Sequence, residues 1–170
     1  MAARILDGKS VARRLTEETA RQARMLTERT GVVPGLGVVM VGDDPASVSY
    51  VTGKERACAA LGFHSRECRL PATATLADLL AVIRGLNDDP AIHGILVQLP
   101  LPRQIDEQAA IAAIHPDKDV DGFTPVNVGR MMIGQPCFLP CTPHGIIQLL
   151  IDSGIETAGR HAVVVGRSNI

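Results

Sequence analysis

Two short apolar runs, each the length of a β-strand, constrain the fold of this chain more than any other feature of its sequence. Residues 36–41 are Leu-Gly-Val-Val-Met-Val, and residues 94–98 are Gly-Ile-Leu-Val-Gln. A continuous apolar run of this length is typical of a strand that is covered on both faces. Parallel strands need long crossover connections, and the residues between these two runs carry helix signals. We therefore predict an α/β fold, with a largely parallel sheet in a three-layer domain.

Five segments have the apolar spacing or the capping residues of helices: 10–29, 46–61, 75–86, 106–114 and 142–153. Asp44 is placed to cap the second of these helices, with Pro45 at its first position. Thr75 begins a sequence that is close to a capping box. A weaker, more polar strand is predicted at 63–70, towards an edge of the sheet, and a further strand is predicted at 161–165.

Charge and composition argue against several classes of function. The chain has 17 basic and 18 acidic residues and a formal net charge of −1, so we expect no broad cationic field for nucleic acid or an anionic membrane. We find neither the apolar run of a signal peptide nor one that could span a bilayer. The four cysteines do not have the pattern of a disulfide framework, and a zinc half-site at Cys137 and Cys141 lacks a matching pair. We predict a cytoplasmic protein.

Tyr50 and Lys54 lie four residues apart on a predicted helix, just after the first buried strand. Four residues correspond to slightly more than one helical turn, so both side chains project from nearly the same face. A phenol beside an amine could supply a stacking surface and a group that transfers protons. The alternative is a surface lysine whose aliphatic stem lies along a tyrosine, which is common on helices.

Gln98 ends the second buried run and is followed by Leu-Pro-Leu-Pro at residues 99–102. Ligands of doubly wound sheets bind beyond the carboxyl ends of the strands, so this position is a candidate site. A side-chain amide there must find partners, because a buried unsatisfied polar group costs about 1–3 kcal/mol. Either the amide satisfies nearby backbone groups, or it orients a catalytic group or a ligand.

The polar loop predicted at 115–123 contains three aspartates at alternate positions, Asp117, Asp119 and Asp121. In an extended segment they would face one way, as ligands of a hard cation do, although Lys118 lies among them. A solvated acidic turn is a second interpretation. In a third, one aspartate is buried and accepts a forked pair of N–H donors from a ligand.

The last predicted strand is followed at once by Gly166, Arg167 and Ser168. Glycine lets the backbone approach a phosphate, arginine can bind it through two N–H groups, and serine adds a hydroxyl. Three residues are a weak motif, because they do not form the glycine pattern of a dinucleotide-binding turn.

Taken together and in this order, these segments closely resemble the methylenetetrahydrofolate dehydrogenase/cyclohydrolase family. The likeness extends over nearly the whole chain, through Tyr50–Arg56 with Gly62-Phe63, Gly94–Pro102, Lys118–Phe123, Pro140–Pro143 and Val163–Ser168. Arg56 occupies the position at which many relatives have a second lysine, a difference that keeps the positive charge. The family continues past residue 170 into a complete Rossmann-like domain, so we expect this chain to hold only the truncated start of that domain.

The resemblance implies two successive reactions in one cleft. First, 5,10-methylenetetrahydrofolate transfers a hydride to NADP⁺, and then water attacks the methenyl carbon to give 10-formyltetrahydrofolate. By this resemblance Lys54 is the central catalytic group, Tyr50 stacks on the folate, and Gln98 hydrogen-bonds the lysine. Asp121 would bind the amino-pyrimidine edge of the pterin, with Gly122 allowing close approach.

The resemblance also implies how the chain is organised. Residues 1–122 would form the folate-binding catalytic domain, and residues 123–170 a connector with the first part of the NADP-binding domain. Gly166, Arg167 and Ser168 would contact the phosphates of NADP. The expected protein is a cytoplasmic homodimer of one-carbon metabolism and purine biosynthesis, without nucleic-acid or membrane partners.

Two other classes of function stay open at this point. A non-catalytic binding module could share the same sheet architecture, because a fold alone does not settle function. A metal-dependent hydrolase could use the loop of Asp117, Asp119 and Asp121.

Overall fold

The computed structural model describes residues 5–166. Its strands are β1 (Gly35–Val41), β2 (His64–Leu70) and β3 (Gly94–Val97). Its helices are α1 (Gly8–Thr30), α2 (Pro45–Leu61), α3 (Leu76–Asp88), α4 (Glu107–Ala112), α5 (Pro125–Met132) and α6 (Cys141–Asp152), with a 3₁₀ turn at Pro116–Lys118. Within the described range, none of these helices is long and apolar enough to cross a membrane.

The three strands form one parallel sheet in the order β2-β1-β3, which confirms the predicted fold class. β1 is central, and its residues are buried with the exception of Leu36, which is half-buried. The predicted polar strand, β2, lies at an edge as expected, and its side chains are half-buried or exposed. The continuous apolar runs were therefore a correct guide to which strands are covered on both faces.

Alternate residues of β1 and β3 pack into two separate apolar clusters, one on each face of the sheet. Val39 and Val97 point to the face covered by α3 and α4, where Leu79 and Ile83 are fully buried. On the opposite face, Val38, Met40 and Leu96 pack against Val51 of α2. Because the side-chain period of a strand is two, this division follows directly from the sequence of the apolar runs.

The predicted helix caps are confirmed. The Asp44 carboxylate accepts a hydrogen bond from Ser47 N at 2.9 Å, Pro45 occupies the first turn, and α2 ends at Gly62 with φ of +73°. At the start of α3, Thr75 and Asp78 form a reciprocal capping box. These caps satisfy backbone N–H groups that have no partner inside the helix.

One sequence prediction needs correction, and one helix was not predicted. The strand predicted at 161–165 is wrong, because this segment is irregular and Val165 is 95% exposed, with no strand of the described residues beside it. A strand is stabilised by hydrogen bonds to its neighbours, and an apolar run alone does not supply them. In addition, α5 lies in a segment taken as a connector; Thr124 caps it and Pro125 begins it, as Asp44 and Pro45 do for α2.

Candidate active site

Lys54 and Gln98 come from different elements and contact each other directly. Lys54 lies in the middle of α2, Gln98 is the first residue after β3, and Lys54 Nζ donates a hydrogen bond to Gln98 Oε1 at 2.9 Å. Gln98 N donates to Val39 O at 2.8 Å, which extends the ladder of the sheet by one residue and fixes the backbone. The sheet therefore places this amide at the carboxyl end of β3, where ligands of parallel sheets bind.

The two hydrogen-bonding ends of the Gln98 amide have different partners. Its Nε2 donates to the carbonyl oxygen of Leu99 at 2.7 Å, and its Oε1 accepts from Lys54 Nζ. The sequence left open whether this amide would satisfy backbone or orient a catalytic group or a ligand; in the structure it binds a backbone carbonyl and the Lys54 amine at once. The backbone contact sets the rotation of the amide, so the oxygen is held towards the amine.

Tyr50 lies one helical turn before Lys54 on the same side of α2, as the spacing predicted. Lys54 Nζ is 5.8 Å from the centre of the Tyr50 ring, within the range of a cation–π contact. The ring is 66% exposed, so much of its surface is free to stack against a flat ligand. The pair combines an amine with an exposed aromatic surface.

Asp121 is a half-buried carboxylate whose electrostatic surroundings include Lys54. Burial raises the pKa of Asp121, the charge of Lys54 opposes this shift, and the charge of Asp119 adds to it. Asp121 therefore interacts electrostatically with Lys54, which in turn contacts Gln98, although the three residues are far apart in the sequence. Their roles in catalysis and folate binding stay predictions.

Cys141, at the start of α6, also borders this site. Its thiol Sγ is 3.8 Å from the carbonyl oxygen of Val120. Burial and the charge of Asp121 raise the pKa of the thiol, and Lys54 opposes this shift. The sequence analysis considered Cys141 as half of a zinc site and as part of the Pro140–Pro143 segment of the family resemblance, but it did not predict that Cys141 lies near Asp121 and Lys54.

The three alternate aspartates of the 115–123 segment have three different environments. Asp117 is exposed and forms an ion pair with Arg130 at 3.3 Å. Asp119 is buried and accepts hydrogen bonds from Thr124 N and Asn127 Nδ2, whereas Asp121 lies near Lys54. Among residues 5–166, no group of three or more His, Cys, Asp and Glu side chains is placed to hold a metal ion. The three carboxylates therefore do not share one environment, as the ligands of a single cation would.

Two family models match this chain. The catalytic domain of the tetrahydrofolate dehydrogenase/cyclohydrolase family matches residues 6–121, and the NAD(P)-binding domain of the same family matches residues 140–170. The first match alone covers more than half of the chain.

The chain belongs to the tetrahydrofolate dehydrogenase/cyclohydrolase family.

Individual relatives agree with the family match. The bifunctional protein FolD of Dehalococcoides mccartyi is 56% identical over the whole chain, which spans 57% of that protein. FolD of Geobacillus thermodenitrificans is 55% identical over the whole chain, which spans 60% of it. The chain thus spans less than two thirds of the length of these relatives.

Solved structures give the same result. The bifunctional FolD enzyme of Campylobacter jejuni superposes with a TM-score of 0.96 at 43% identity, over 99% of this chain and 60% of that one. The Trypanosoma brucei dehydrogenase-cyclohydrolase, complexed with NADP cofactor and inhibitor, gives 0.89 at 39% identity, over 94% of this chain and 55% of that one.

Within this family fold, Gly122 has a clear structural reason to be glycine. Its φ is +67°, and a Cβ atom built on it would lie 2.6 Å from the carbonyl oxygen of Phe138. A side chain would therefore be strained and would also collide with the backbone of the protein. A role for Gly122 in approaching the folate stays a prediction.

Of the three residues assigned to NADP, the structure describes one. Gly166 is exposed, and no atom lies within 4 Å of a Cβ built on it, while Arg167 and Ser168 lie outside the described residues. The described residues therefore do not form an enclosed phosphate site around Gly166. The contacts of these three residues with NADP stay predictions.

A cavity of about 360 Å³ also reaches Lys54, from the other end of the sheet. Its lining is mostly apolar and includes Gly35 and Gly94, which begin β1 and β3. Tyr50, Gln98 and Asp121 are not among its lining residues. Because ligands of parallel sheets bind beyond the opposite, carboxyl ends of the strands, we place the candidate site outside this cavity.

Proposed function

We propose that this protein oxidises 5,10-methylenetetrahydrofolate with NADP⁺ and hydrolyses the product to 10-formyltetrahydrofolate. The observation that carries the proposal is the hydrogen bond from Lys54 Nζ to Gln98 Oε1 at 2.9 Å, with Asp121 in the same electrostatic environment. These are the residues to which the family resemblance assigned catalysis and folate binding. Membership of the family also supports the proposal.

The proposed reactions balance as a two-electron oxidation followed by a hydrolysis. The bridging methylene carbon loses a hydride to NADP⁺ and becomes the carbon of a methenyl cation. A water molecule then adds to this carbon and loses one proton, which leaves a hydroxyl group on the carbon. The bond from the carbon to N5 breaks as the hydroxyl proton is transferred to N5 and the formyl carbonyl forms. The products are 10-formyltetrahydrofolate, NADPH and a proton.

Lys54 is the proposed proton-transfer group of the hydrolysis. One of its N–H groups is engaged by Gln98 Oε1, which holds Nζ in one position at the carboxyl end of the sheet. A positioned acid–base group typically contributes a factor of about 10²–10⁴ to a rate. The fixed hydrogen bond supports this role because proton transfer requires the donor and acceptor to be held in place.

Tyr50 and Asp121 are the proposed binding groups for the flat pterin. The exposed Tyr50 ring offers a stacking face next to Lys54. The Asp121 carboxylate can accept two parallel N–H donors from an amino-pyrimidine edge. These two groups would hold the folate while its reactive carbon faces the lysine.

NADP is the proposed hydride acceptor. The match of residues 140–170 to the NAD(P)-binding domain supports it, as does the related Trypanosoma brucei structure complexed with NADP. Gly166, Arg167 and Ser168 are the proposed phosphate contacts. Titration of the complete gene product with NADP⁺ and with NAD⁺ would measure the preference between them.

The assembly, location and pathway of the protein are further parts of the proposal. From the family resemblance we infer a cytoplasmic homodimer whose product, a formyl donor, enters purine biosynthesis. The near-zero net charge supports the inference that nucleic acid is not a partner. Sedimentation of the purified protein would test the homodimer directly.

The two half-reactions can be assayed separately on the complete gene product. With methylenetetrahydrofolate and NADP⁺ we expect NADPH to form, and with the methenyl compound alone we expect enzyme-dependent loss of its absorbance. Folate binding without either reaction would support the binding module instead. Activity that is lost with a chelator and restored by a metal would support the metal-dependent hydrolase.

A further inference from the structure

Asp119 is a buried carboxylate, and its hydrogen-bond donors within residues 5–166 are uncharged. It is 1% exposed, and it accepts from Phe123 N at 3.2 Å, Thr124 N at 2.8 Å and Asn127 Nδ2 at 2.9 Å. None of the ion pairs formed within residues 5–166 includes it. Burial of a carboxylate is costly, and an arrangement of three donors offsets part of that cost.

The hydrogen bonds of Asp119 close the turn that carries Asp121. Its main-chain oxygen accepts from Gly122 N at 3.2 Å, and its side-chain Oδ1 accepts from Phe123 N. Asp121 lies between the closed ends of this turn, so the turn limits where its carboxylate can be. Loss of the Asp119 side chain would remove one of these two hydrogen bonds, the one from Phe123 N.

Asp119 also attaches this turn to the strand that precedes Gln98. Its backbone forms a parallel bridge with Ile95 of β3, and Gln98 directly follows that strand, three residues after Ile95. At the other end, the Asn127 amide ties the Asp119 carboxylate to α5. One buried residue therefore connects the turn of Asp121, the strand of Gln98 and a helix.

We propose that Asp119 is a positioning residue of the folate site, which holds Asp121 in place relative to Lys54 and Gln98 without contacting the substrate. The inference rests on the proposed function, since it assigns Asp121 to folate binding. Its physical basis is the closure of the turn and the bridge to β3, both of which are set by Asp119.

Asp119 also acts on Asp121 through its charge. The negative charge of Asp119 contributes to the raised pKa of Asp121, whereas Lys54 on α2 opposes it. From α6, the thiol of Cys141 is near enough for the charge of Asp121 to raise the pKa of the thiol. Removal of the Asp119 charge would therefore lower the pKa of Asp121, an effect that a purely structural anchor elsewhere would not have.

The substitution Asp119→Asn in the complete gene product tests the proposal. The asparagine side chain keeps one oxygen, but its NH₂ group replaces the other oxygen and faces N–H donors that had bound the carboxylate. We expect the KM for methylenetetrahydrofolate to rise about tenfold, with a smaller change in kcat, because a binding group is displaced while Lys54 and Gln98 remain. By NMR, we expect the Asp121 carboxyl to titrate at lower pH than in the unsubstituted protein.

Asp117→Asn is the matched control, because Asp117 lies in the same segment and its side chain is 72% exposed. Within residues 5–166, its one ion pair is with Arg130. We expect neither the KM nor the titration of Asp121 to change in this variant. An unchanged KM and an unchanged Asp121 titration in Asp119→Asn would overturn the proposal.

Two further outcomes can be distinguished. If Asp119→Asn does not fold, Asn127→Ala removes one of the three donors and should raise the KM by a smaller factor; an unchanged KM would then count against the proposal. If the unsubstituted protein has no folate activity, the proposed function fails. The NMR titration of Asp121 then still decides whether Asp119 controls that carboxylate.

Discussion

Lys54 Nζ donates a hydrogen bond to Gln98 Oε1 over 2.9 Å and so joins the middle of α2 to the end of β3. The two residues are 44 positions apart in the sequence, and their contact depends on the sheet and on the helix that covers it. The amide is held from its other end by the Leu99 carbonyl. The proposed proton-transfer group is thereby held between a helix and the end of a strand, and sites built on helices and strands keep their geometry more precisely than sites on loops.

We expect Lys54→Met to abolish cyclohydrolase turnover while folate binding stays largely intact. Methionine keeps much of the volume of the lysine stem but cannot transfer a proton. The measurements are methenyl hydrolysis and the folate dissociation constant. Arg56→Met is the matched control, because Arg56 is an exposed cation on the same helix. Unchanged hydrolysis in Lys54→Met would remove Lys54 from the mechanism.

For Gln98→Leu we expect the kcat of the hydrolysis to fall about tenfold or more, because Lys54 loses the acceptor that positions it. Steady-state kinetics of both half-reactions would measure the effect. Gln108→Leu, at an exposed position of α4, is the control for the loss of a glutamine. Equal rates in Gln98→Leu and the unsubstituted protein would mean that the hydrogen bond has no part in catalysis.

Asp121→Asn should weaken the binding of methylenetetrahydrofolate, because one acceptor of the proposed forked contact becomes a donor. In the unsubstituted protein, affinity should also fall as the pH decreases through the raised pKa of Asp121, since the protonated acid accepts less well. Equilibrium binding across pH would test both statements. An unaltered dissociation constant in Asp121→Asn would contradict the assignment.

The raised pKa of Asp121 has a separate effect on folding. A carboxyl whose pKa is higher in the folded state binds its proton more tightly there, so its contribution to stability is present at low pH and is lost as the pH rises through the folded pKa. Relative to the unsubstituted protein, Asp121→Asn should therefore gain stability as the pH rises. Urea unfolding from about pH 3 to about pH 7 would measure this.

Asp44 supplies a control of opposite sign for that experiment. The backbone N–H of Ser47 lowers the pKa of the Asp44 carboxyl, so its stabilising contribution is present at higher pH and is lost as the pH falls. Asp44→Asn should accordingly lose stability relative to the unsubstituted protein as the pH rises. If Asp121→Asn also lost stability relative to the unsubstituted protein as the pH rose, the pKa direction assigned to Asp121 would be wrong.

Much of the fold could be predicted because its signals are local. The buried strands β1 and β3 are continuous apolar runs, and the starts of α2 and α3 are marked by capping residues next to them in the sequence. Thr124 and Pro125 mark the start of α5 in the same way, but this helix was not predicted, because the segment that follows the polar loop was interpreted as a connector. The segment 161–165 failed as a strand because pairing is a tertiary property that an apolar run does not encode.

The site could be predicted in part for the same reason. The spacing of Tyr50 and Lys54 places them on one helix face, and the position of Gln98 at a strand end follows from the apolar run. The separate environments of Asp117, Asp119 and Asp121 were beyond local reasoning, because they depend on a 3₁₀ turn and on donors from α5. The assignment of Asp121 came from the family resemblance.

Gly122→Ala should destabilise the fold more than the same change at Gly134. Both glycines have φ near +70°, and alanine is disfavoured there by about 1–2 kcal/mol. At Gly134 no atom lies within 4 Å of the added Cβ, whereas at Gly122 the Phe138 carbonyl oxygen lies 2.6 Å away. The close contact should add about 1–3 kcal/mol to the loss of unfolding free energy at Gly122, measured by urea denaturation. Because Gly122 adjoins Asp121, we also expect weaker folate binding in Gly122→Ala and unchanged folate binding in Gly134→Ala. Equal losses of stability in the two variants would show that backbone conformation alone requires glycine at position 122.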